Sequence, residues 1–216
     1  MAYKTIFFDL DGTLTDSGEG IMNCATLALE RLGLPVPDRD ALRVFVGPPL
    51  RETFLKFGVP EDQIEKAVQI YRSRYRTVGK FENFPYPGIR ELLSDLSADG
   101  CRLFVATSKP ETMAVEILTK FELSDYFERI CGATMDGSRD SKEAVLAYLL
   151  NKIGSVSDVV MVGDTAYDVI GAAAHGIPTI GVTWGYGTRE AMESAGAARI
   201  AASPSELYQF LTPGSN

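Results

Sequence analysis

The sequence predicts an α/β protein: a parallel sheet with helices on both faces and a separate helical domain inserted after the first strand. Three observations carry that expectation. Short apolar runs alternate with helix-period segments over most of the chain. Runs such as Val159-Val160-Met161-Val162 are apolar at every position, the pattern of a strand buried on both faces. Between Ser17 and about Phe84 the alternation stops, and helical stripes follow one another with no convincing strand.

Lys4 to Phe8 is the first strand. In the interval that follows, Ile21, Cys24, Ala28, Leu29 and Leu32 share one helical face, and Gly33 suits the C-cap. Leu50, Phe54 and Leu55 suggest a second helix, and Ile64, Val68, Tyr71 and Tyr75 form a further stripe. The borders, Asp16-Ser17-Gly18 and Asn83-Phe84-Pro85-Tyr86-Pro87-Gly88, are turn-rich and suit a two-strand hinge. The expected division is therefore 1–16 with 84–216 as the core and 17–83 as the helical domain. Beyond the hinge, helices are expected over Gly88 to Ala98, Glu111 to Phe121, Lys142 to Ile153 and Ala166 to His175. Between them fall strands at Arg102 to Ala106, Ile130 to Ala133, Val159 to Val162 and Thr179 to Val182, joined by right-handed crossovers. The tail Thr212 to Asn216 is expected to fray.

Composition narrows the function classes. A chain of 216 residues, 45% of them hydrophobic, can build one substantial core or one core and a small satellite domain. Its 21 basic and 29 acidic residues leave a formal charge of −8, which argues against binding nucleic-acid polymers. Small anions stay admissible, because a metal and a few lysines reverse the local field. Cys24, Cys101 and Cys131 are far apart and form no C-x-x-C, so they read as reduced thiols. With no signal peptide and no apolar stretch near the ~20 residues of a membrane span, the expectation is a cytoplasmic protein with no membrane partner. Nothing in the sequence specifies an oligomeric state.

The first strand runs straight into acid: Asp9-Leu10-Asp11-Gly12-Thr13-Leu14-Thr15-Asp16. In an extended segment, residues i and i+2 point the same way, so Asp9 and Asp11 aim into one small volume. Two anions that close repel, and one would stay protonated. A metal cation that holds one acid ionised while the other carries a proton resolves this, and that is phosphate-ester chemistry. Ligands in an open parallel sheet bind beyond the carboxyl ends of the strands. There this chain also places Thr107-Ser108-Lys109, Ser141-Lys142 and Gly163-Asp164, with Asp168 four residues on.

These residue types suit defined roles. Asp9 can attack phosphorus as a nucleophile. Asp11 can protonate the leaving oxygen and then take a proton from water. Mg²⁺ held by Asp9, Asp164 and a backbone carbonyl near Asp11 would set the two acids apart. Thr107 can donate to the phosphoryl group and Lys142 can neutralise it. Gly12, Thr13 and Ser108 are candidate substrate contacts in the same loops; Gly47 and Arg43 are candidates from the helical domain. Asp168 either holds Lys142 or a metal-bound water in place, or is an ordinary first-turn acid at a helix N-terminus. Counting Asp9, Asp164 and Asp168 against Lys142 alone leaves the site too negative for a phosphate without a divalent cation.

At these residues the sequence resembles the haloacid dehalogenase-like (HAD) hydrolase superfamily. Asp9-Leu10-Asp11-Gly12-Thr13-Leu14, Thr107, Lys142 and Gly163-Asp164-Thr165-Ala166-Tyr167-Asp168 match its four motifs in order and spacing. The resemblance implies a Rossmann-like sheet of strand order 5-4-1-2-3, a helical cap in the strand-free interval, Mg²⁺ as cofactor and a small phosphorylated metabolite as substrate. Asp11 separates the chain from the dehalogenases of the superfamily, which lack that second acid. Leu10-Asp11-Gly12-Thr13 separates it from transporting ATPases, which have Lys-Thr-Gly-Thr there. The phosphoglycolate-phosphatase-like branch is the nearest in pattern. Within it, Phe45-Val46-Gly47-Pro48-Pro49-Leu50 resembles the bacterial 5′-nucleotidase-type members. Glu143 departs from the proline that phosphoglycolate phosphatases often carry after the lysine. Nucleoside 5′-monophosphates are thus the first expectation for the substrate and 2-phosphoglycolate the second.

His175, the one histidine, reads as a last-turn helix residue. Trp184-Gly185-Tyr186-Gly187 follows the fifth strand and either shapes the substrate pocket or packs on the core. Gly47-Pro48-Pro49 reads as a cap loop. A phosphosugar mutase or a non-catalytic phospho-acceptor switch would use a similar set of residues. Asp11, which would speed loss of a phosphoryl signal, argues against the switch.

Overall fold

The computed structural model describes residues 3–48 and 50–212. Among the described residues there are eight strands: β1 (Thr5–Phe8), β2 (Thr15–Asp16), β3 (Phe84–Pro85), β4 (Arg102–Pro110), β5 (Arg129–Ala133), β6 (Val159–Gly163), β7 (Thr179–Val182) and β8 (Arg199–Ala201). Six of them form one sheet in the order β5-β4-β1-β6-β7-β8, all neighbours parallel. This is the expected order, with the third and second predicted strands on one side of the first, the fourth and fifth on the other, and β8 added at the edge. β1 is therefore central. The connections run to its two sides in turn, which makes its carboxyl end the switch point where ligands of such sheets bind.

The sheet is two-faced because β1 is apolar at consecutive positions. Ile6 and Phe8 enter one core with Leu103, Val105, Val160 and Val162 of the neighbouring strands. That face is covered by α5 (Ile89–Ala98), α6 (Glu111–Lys120) and α10 (Pro204–Leu211) through Leu92, Leu93, Leu96, Ile117, Leu118 and Leu207. Phe7 enters the opposite core with Phe104, Ala106 and Met161, under α7 (Lys142–Ile153) and α8 (Ala166–Ala173). Phe7 and Phe104 are register partners, and their rings meet edge to face at 5.6 Å. Thr188, as N-cap, opens α9 (Arg189–Ser194).

The chain divides into two compact units, Met1–Thr15 with Pro85–Asn216, and Asp16–Phe84. It passes between them through β2 and β3, which form a two-stranded sheet of their own. The second unit contains α1 (Gly18–Arg31), α2 (Arg39–Leu42), α3 (Leu50–Lys56) and α4 (Ile64–Thr77). Its core is aromatic: Phe45 and Phe54 pack at 5.0 Å, Phe54 and Tyr71 at 6.4 Å, and Tyr71 stacks on Tyr75 at 5.7 Å. Arg74 holds Glu82 through two 2.7 Å hydrogen bonds, tying α4 to the segment that leads out of the unit.

Several local expectations need correction. β4 does not stop at Ala106 but continues to Pro110, because a register shift between Thr107 and Pro110 lets it keep pairing with β5. β8 and the helices on either side of it were not foreseen: Arg199-Ile200-Ala201 is short and set among alanines, which read as helix. Leu55 lies on α3 as expected but is exposed. Thr212 is not frayed; it is buried and its hydroxyl donates to the Tyr208 carbonyl at 2.9 Å. Pro49 of the expected cap loop and residues 213–216 of the tail lie outside the described residues. No helix among the described residues is long and apolar enough to cross a membrane.

Candidate active site

β1 hands the chain to a tight turn. The Asp9 amide still donates to Val162 on β6 at 2.9 Å, so the first acid is held by the sheet itself. The Leu10 carbonyl then accepts from the amides of Leu14 and Thr15 at 2.9 and 3.0 Å. Leu10 and Leu14 are fully buried and anchor the turn in the core. Gly12 takes φ +85°, the left-handed region, and a Cβ there would lie 2.2 Å from Asp164 Oδ2. Glycine is needed at this position for both reasons.

Each acid of the pair has its own lysine. Lys142, the first residue of α7 behind its N-cap Ser141, donates from Nζ to Asp9 Oδ1 and to the Ala106 carbonyl, both at 2.7 Å. It also pairs with Asp168 Oδ1 at 2.8 Å. Lys109 donates a short hydrogen bond to Asp11 Oδ2. The charge count made from sequence omitted this second lysine. The spacing rule that pairs Asp9 with Asp11 also puts Lys109 on the face of Thr107, two residues before it. Thr107 and Lys109 are buried, and the residue between them, Ser108, is exposed. The Thr107 hydroxyl accepts from the Lys109 amide at 3.2 Å.

Asp168 performs both roles that the sequence left open as alternatives. One oxygen meets Lys142. The other accepts from the Thr165 amide at 3.0 Å and hydroxyl at 2.8 Å, capping α8. Asp164 is fully buried; it accepts from the Thr13 hydroxyl at 3.3 Å and from the Tyr186 amide at 2.7 Å. The Trp184 indole donates to the Thr13 carbonyl at 3.0 Å while its ring packs against the core. The His175 ring meets the Glu143 carbonyl at 2.9 Å, following α8. Arg43 and Gly47 belong to the second unit and are exposed there.

Burial dominates the electrostatics. It pushes the Asp9 carboxyl up to about 6; Lys142 opposes this, Asp168 adds to it, and Asp11 contributes least. The mutual repulsion that the sequence suggested is thus the smallest of the causes. Asp164 is pushed up to about 8 by burial first, then by Asp168 and Asp9. Burial works against the Lys142 charge, but Asp168 and Asp9 outweigh it and hold the ammonium above its ordinary range. Lys142→Met would leave two buried carboxyls without their cation. The expected loss of stability is about 3–5 kcal/mol near neutral pH, and it shrinks in acid as Asp9 takes up its proton. Urea unfolding at several pH values measures it.

Asp9, Asp164 and Asp168 each bring a carboxylate oxygen within 4.8 Å of the others, all buried. Lys142 pairs with two of these three buried acids, Asp9 and Asp168, and Asp11 Oδ1 is buried with no hydrogen-bond partner. A hard divalent cation fits this all-oxygen donor set. Asp168 carries the Lys142 ion pair on one oxygen and two Thr165 hydrogen bonds on the other, which leaves it the fewest sites to offer, so Asp9 and Asp164 are the better placed donors.

A model of the haloacid dehalogenase-like hydrolases matches residues 6–182, and the chain belongs to that family. The tyrosine-protein kinase PtkA of Mycobacterium tuberculosis is 44% identical over 211 residues, covering 96% of this chain and 72% of that one. Its solved structure superposes with a TM-score of 0.87 over 97% of this chain and 98% of that one. A 5′-nucleotidase of Pseudomonas aeruginosa is 39% identical over 98% of this chain and 96% of its own. A phosphoglycolate phosphatase of Caulobacter vibrioides is 33% identical over 89% and 84%.

Proposed function

We propose that the protein is a Mg²⁺-dependent phosphomonoesterase that works through an aspartyl-phosphate on Asp9. The observation that carries this is the pairing of Lys142 with Asp9, 2.7 Å apart and buried at the carboxyl end of the central strand. Lys142 fixes one oxygen of Asp9 and leaves the carboxylate aimed beyond the sheet edge, where an ester phosphorus can be attacked. As the Asp9–phosphorus bond forms, the ester oxygen leaves with a proton from Asp11. Asp11 then takes a proton from the water that attacks phosphorus, releasing inorganic phosphate and Asp9. Thr107 and Lys109 supply a donor and a second cation to the phosphoryl oxygens. Once Lys109 turns to them, Asp11 is released to carry its proton. The cation would be held by Asp9, Asp164 and a carbonyl near Asp11. When bound it neutralises the phosphoryl oxygens and keeps Asp9 ionised.

We assign substrate selection to the helical unit Asp16–Phe84, with Arg43 and Gly47 as the residues that carry it. Nucleoside 5′-monophosphates are the substrates we infer, from the Phe45–Leu50 segment and the relative of that name; 2-phosphoglycolate is second. A phosphomonoester panel with Mg²⁺ tests this by phosphate release. Nucleotides are expected to lead in kcat/KM, and a wide lead for 2-phosphoglycolate would reverse the order. The relative named as a tyrosine kinase supplies another acceptor to test. Given ATP and a tyrosine-containing polypeptide, the phosphoryl group is expected to reach water and not tyrosine.

A further inference from the structure

The loop that follows β7 lies against Asp164 and the Gly12–Thr13 turn at once. Its Tyr186 amide donates to Asp164 Oδ2 at 2.7 Å, and its Trp184 indole donates to the Thr13 carbonyl at 3.0 Å. Thr13 in turn donates its hydroxyl to Asp164 Oδ1 at 3.3 Å. Each carboxylate oxygen of Asp164 therefore has at least one protein donor, and the residue supplying one of them is itself held by Trp184. An ionised carboxylate offers about four lone-pair sites. With one site on each oxygen occupied from a fixed direction, those left for a cation are fixed as well.

The backbone of the loop is moulded to the acid. A Cβ at Gly185 would lie 2.3 Å from both Asp164 Oδ2 and the Gly12 carbonyl. One at Gly187 would lie 2.0 Å from the Asp164 carbonyl. The close approach that brings the Tyr186 amide onto the carboxylate requires bare backbone on either side of it. None of this is needed to pack Trp184 on the core, which its ring does independently.

Resting on the metal reading above, we propose that the segment Trp184–Gly187 is a positioning device for the divalent cation. It sets the direction in which Asp164 offers its oxygens and, through Trp184 and Thr13, ties that acid to the turn that follows the nucleophile.

Calorimetric titration of the full chain with MgCl₂ tests the proposal, with thermal unfolding of the metal-free protein as the control for folding. Gly185→Ala must displace the Tyr186 amide and is expected to raise the Mg²⁺ Kd about tenfold or more, the usual cost of losing a partner of a metal ligand. Trp184→Phe keeps a ring on the core and loses the N–H; a smaller rise, at least about threefold, is expected. It also decides the matter if Gly185→Ala does not fold. Gly181→Ala, on β7, meets side-chain ends of Ile200 and Met192 and not Asp164. It should lower the unfolding temperature and leave the Mg²⁺ Kd unchanged. Asp164→Asn should abolish binding. If wild type binds Mg²⁺ and Asp164→Asn does not, while Gly185→Ala and Trp184→Phe bind as wild type, the positioning role is overturned and the metal site stands. If wild type itself binds no Mg²⁺, the metal site falls and the positioning role with it.

Discussion

Asp9→Asn is expected to lower kcat by at least about 10,000-fold, the scale of loss when a nucleophile is removed from an otherwise intact site. The substitution is nearly isosteric. Its amide oxygen can still accept from Lys142, which keeps its ion pair with Asp168. The sheet should therefore survive, and unfolding by urea should stay cooperative. What disappears is the anion that forms the phosphorus bond. Phosphate release that persists in the variant at a comparable rate would overturn the role of Asp9.

The second large effect concerns Asp164 and pH. Asp9 and Asp164 have folded-state carboxyls raised to about 6 and about 8, both above the ordinary 3.8. A raised carboxyl holds its proton more tightly in the folded chain than in the unfolded one. The metal-free protein should therefore lose stability as pH rises from about 4, with the Asp9 contribution complete near 6 and the Asp164 contribution complete near 8. Asp164→Asn removes the larger contribution. It is expected to stabilise the metal-free protein at about pH 8 by roughly 1–3 kcal/mol while weakening Mg²⁺ binding at least ~100-fold. In wild type the proton and the cation compete, so the Mg²⁺ Kd should rise as pH falls from about 8, by up to about tenfold per unit for one displaced proton. Scanning calorimetry and titration across this range read both effects. A Mg²⁺ Kd that does not change with pH there would contradict the buried, protonated state of Asp164.

The sheet was legible because its strands are apolar at successive positions. Thr5-Ile6-Phe7-Phe8 can lie only where both faces are covered, and Val159-Val160-Met161-Val162 beside it says the same. β8 was not legible, since three residues among alanines carry no period of their own. The extension of β4 through Thr107-Ser108-Lys109 was hidden for a different reason. Those residues are polar, and what makes them strand is pairing with β5 across a register shift, a tertiary effect.

The site divides along similar lines. Asp9, Asp11, Thr107, Lys142, Asp164 and Asp168 stood out as reactive side chains at strand and helix ends, and the structure gathers them at one edge. Lys109 carries the same signal on the same strand, but its pairing with Asp11 depends on the extension of β4 and so gives it no role from sequence alone. The Tyr186 amide and the Ala106 carbonyl were invisible, because every residue offers the same backbone and only the fold decides which one meets a side chain. The electrostatics were the least legible part. Proximity of two acids is written in Asp9-Leu10-Asp11, whereas the larger cause, burial at the centre of the sheet, depends on everything packed around them.

The measurement that bears most directly on the mechanism is to catch the phosphoryl group on the enzyme. Turnover with Mg²⁺ and a cleaved phosphomonoester is quenched in acid, the acylphosphate is reduced with borohydride, and the peptides are mapped by mass spectrometry. The expected product is homoserine at residue 9, formed from the aspartyl-phosphate, and it should be absent without substrate. Steady phosphate release with Asp9 unmodified, or with the phosphoryl group found on another side chain, would contradict the account.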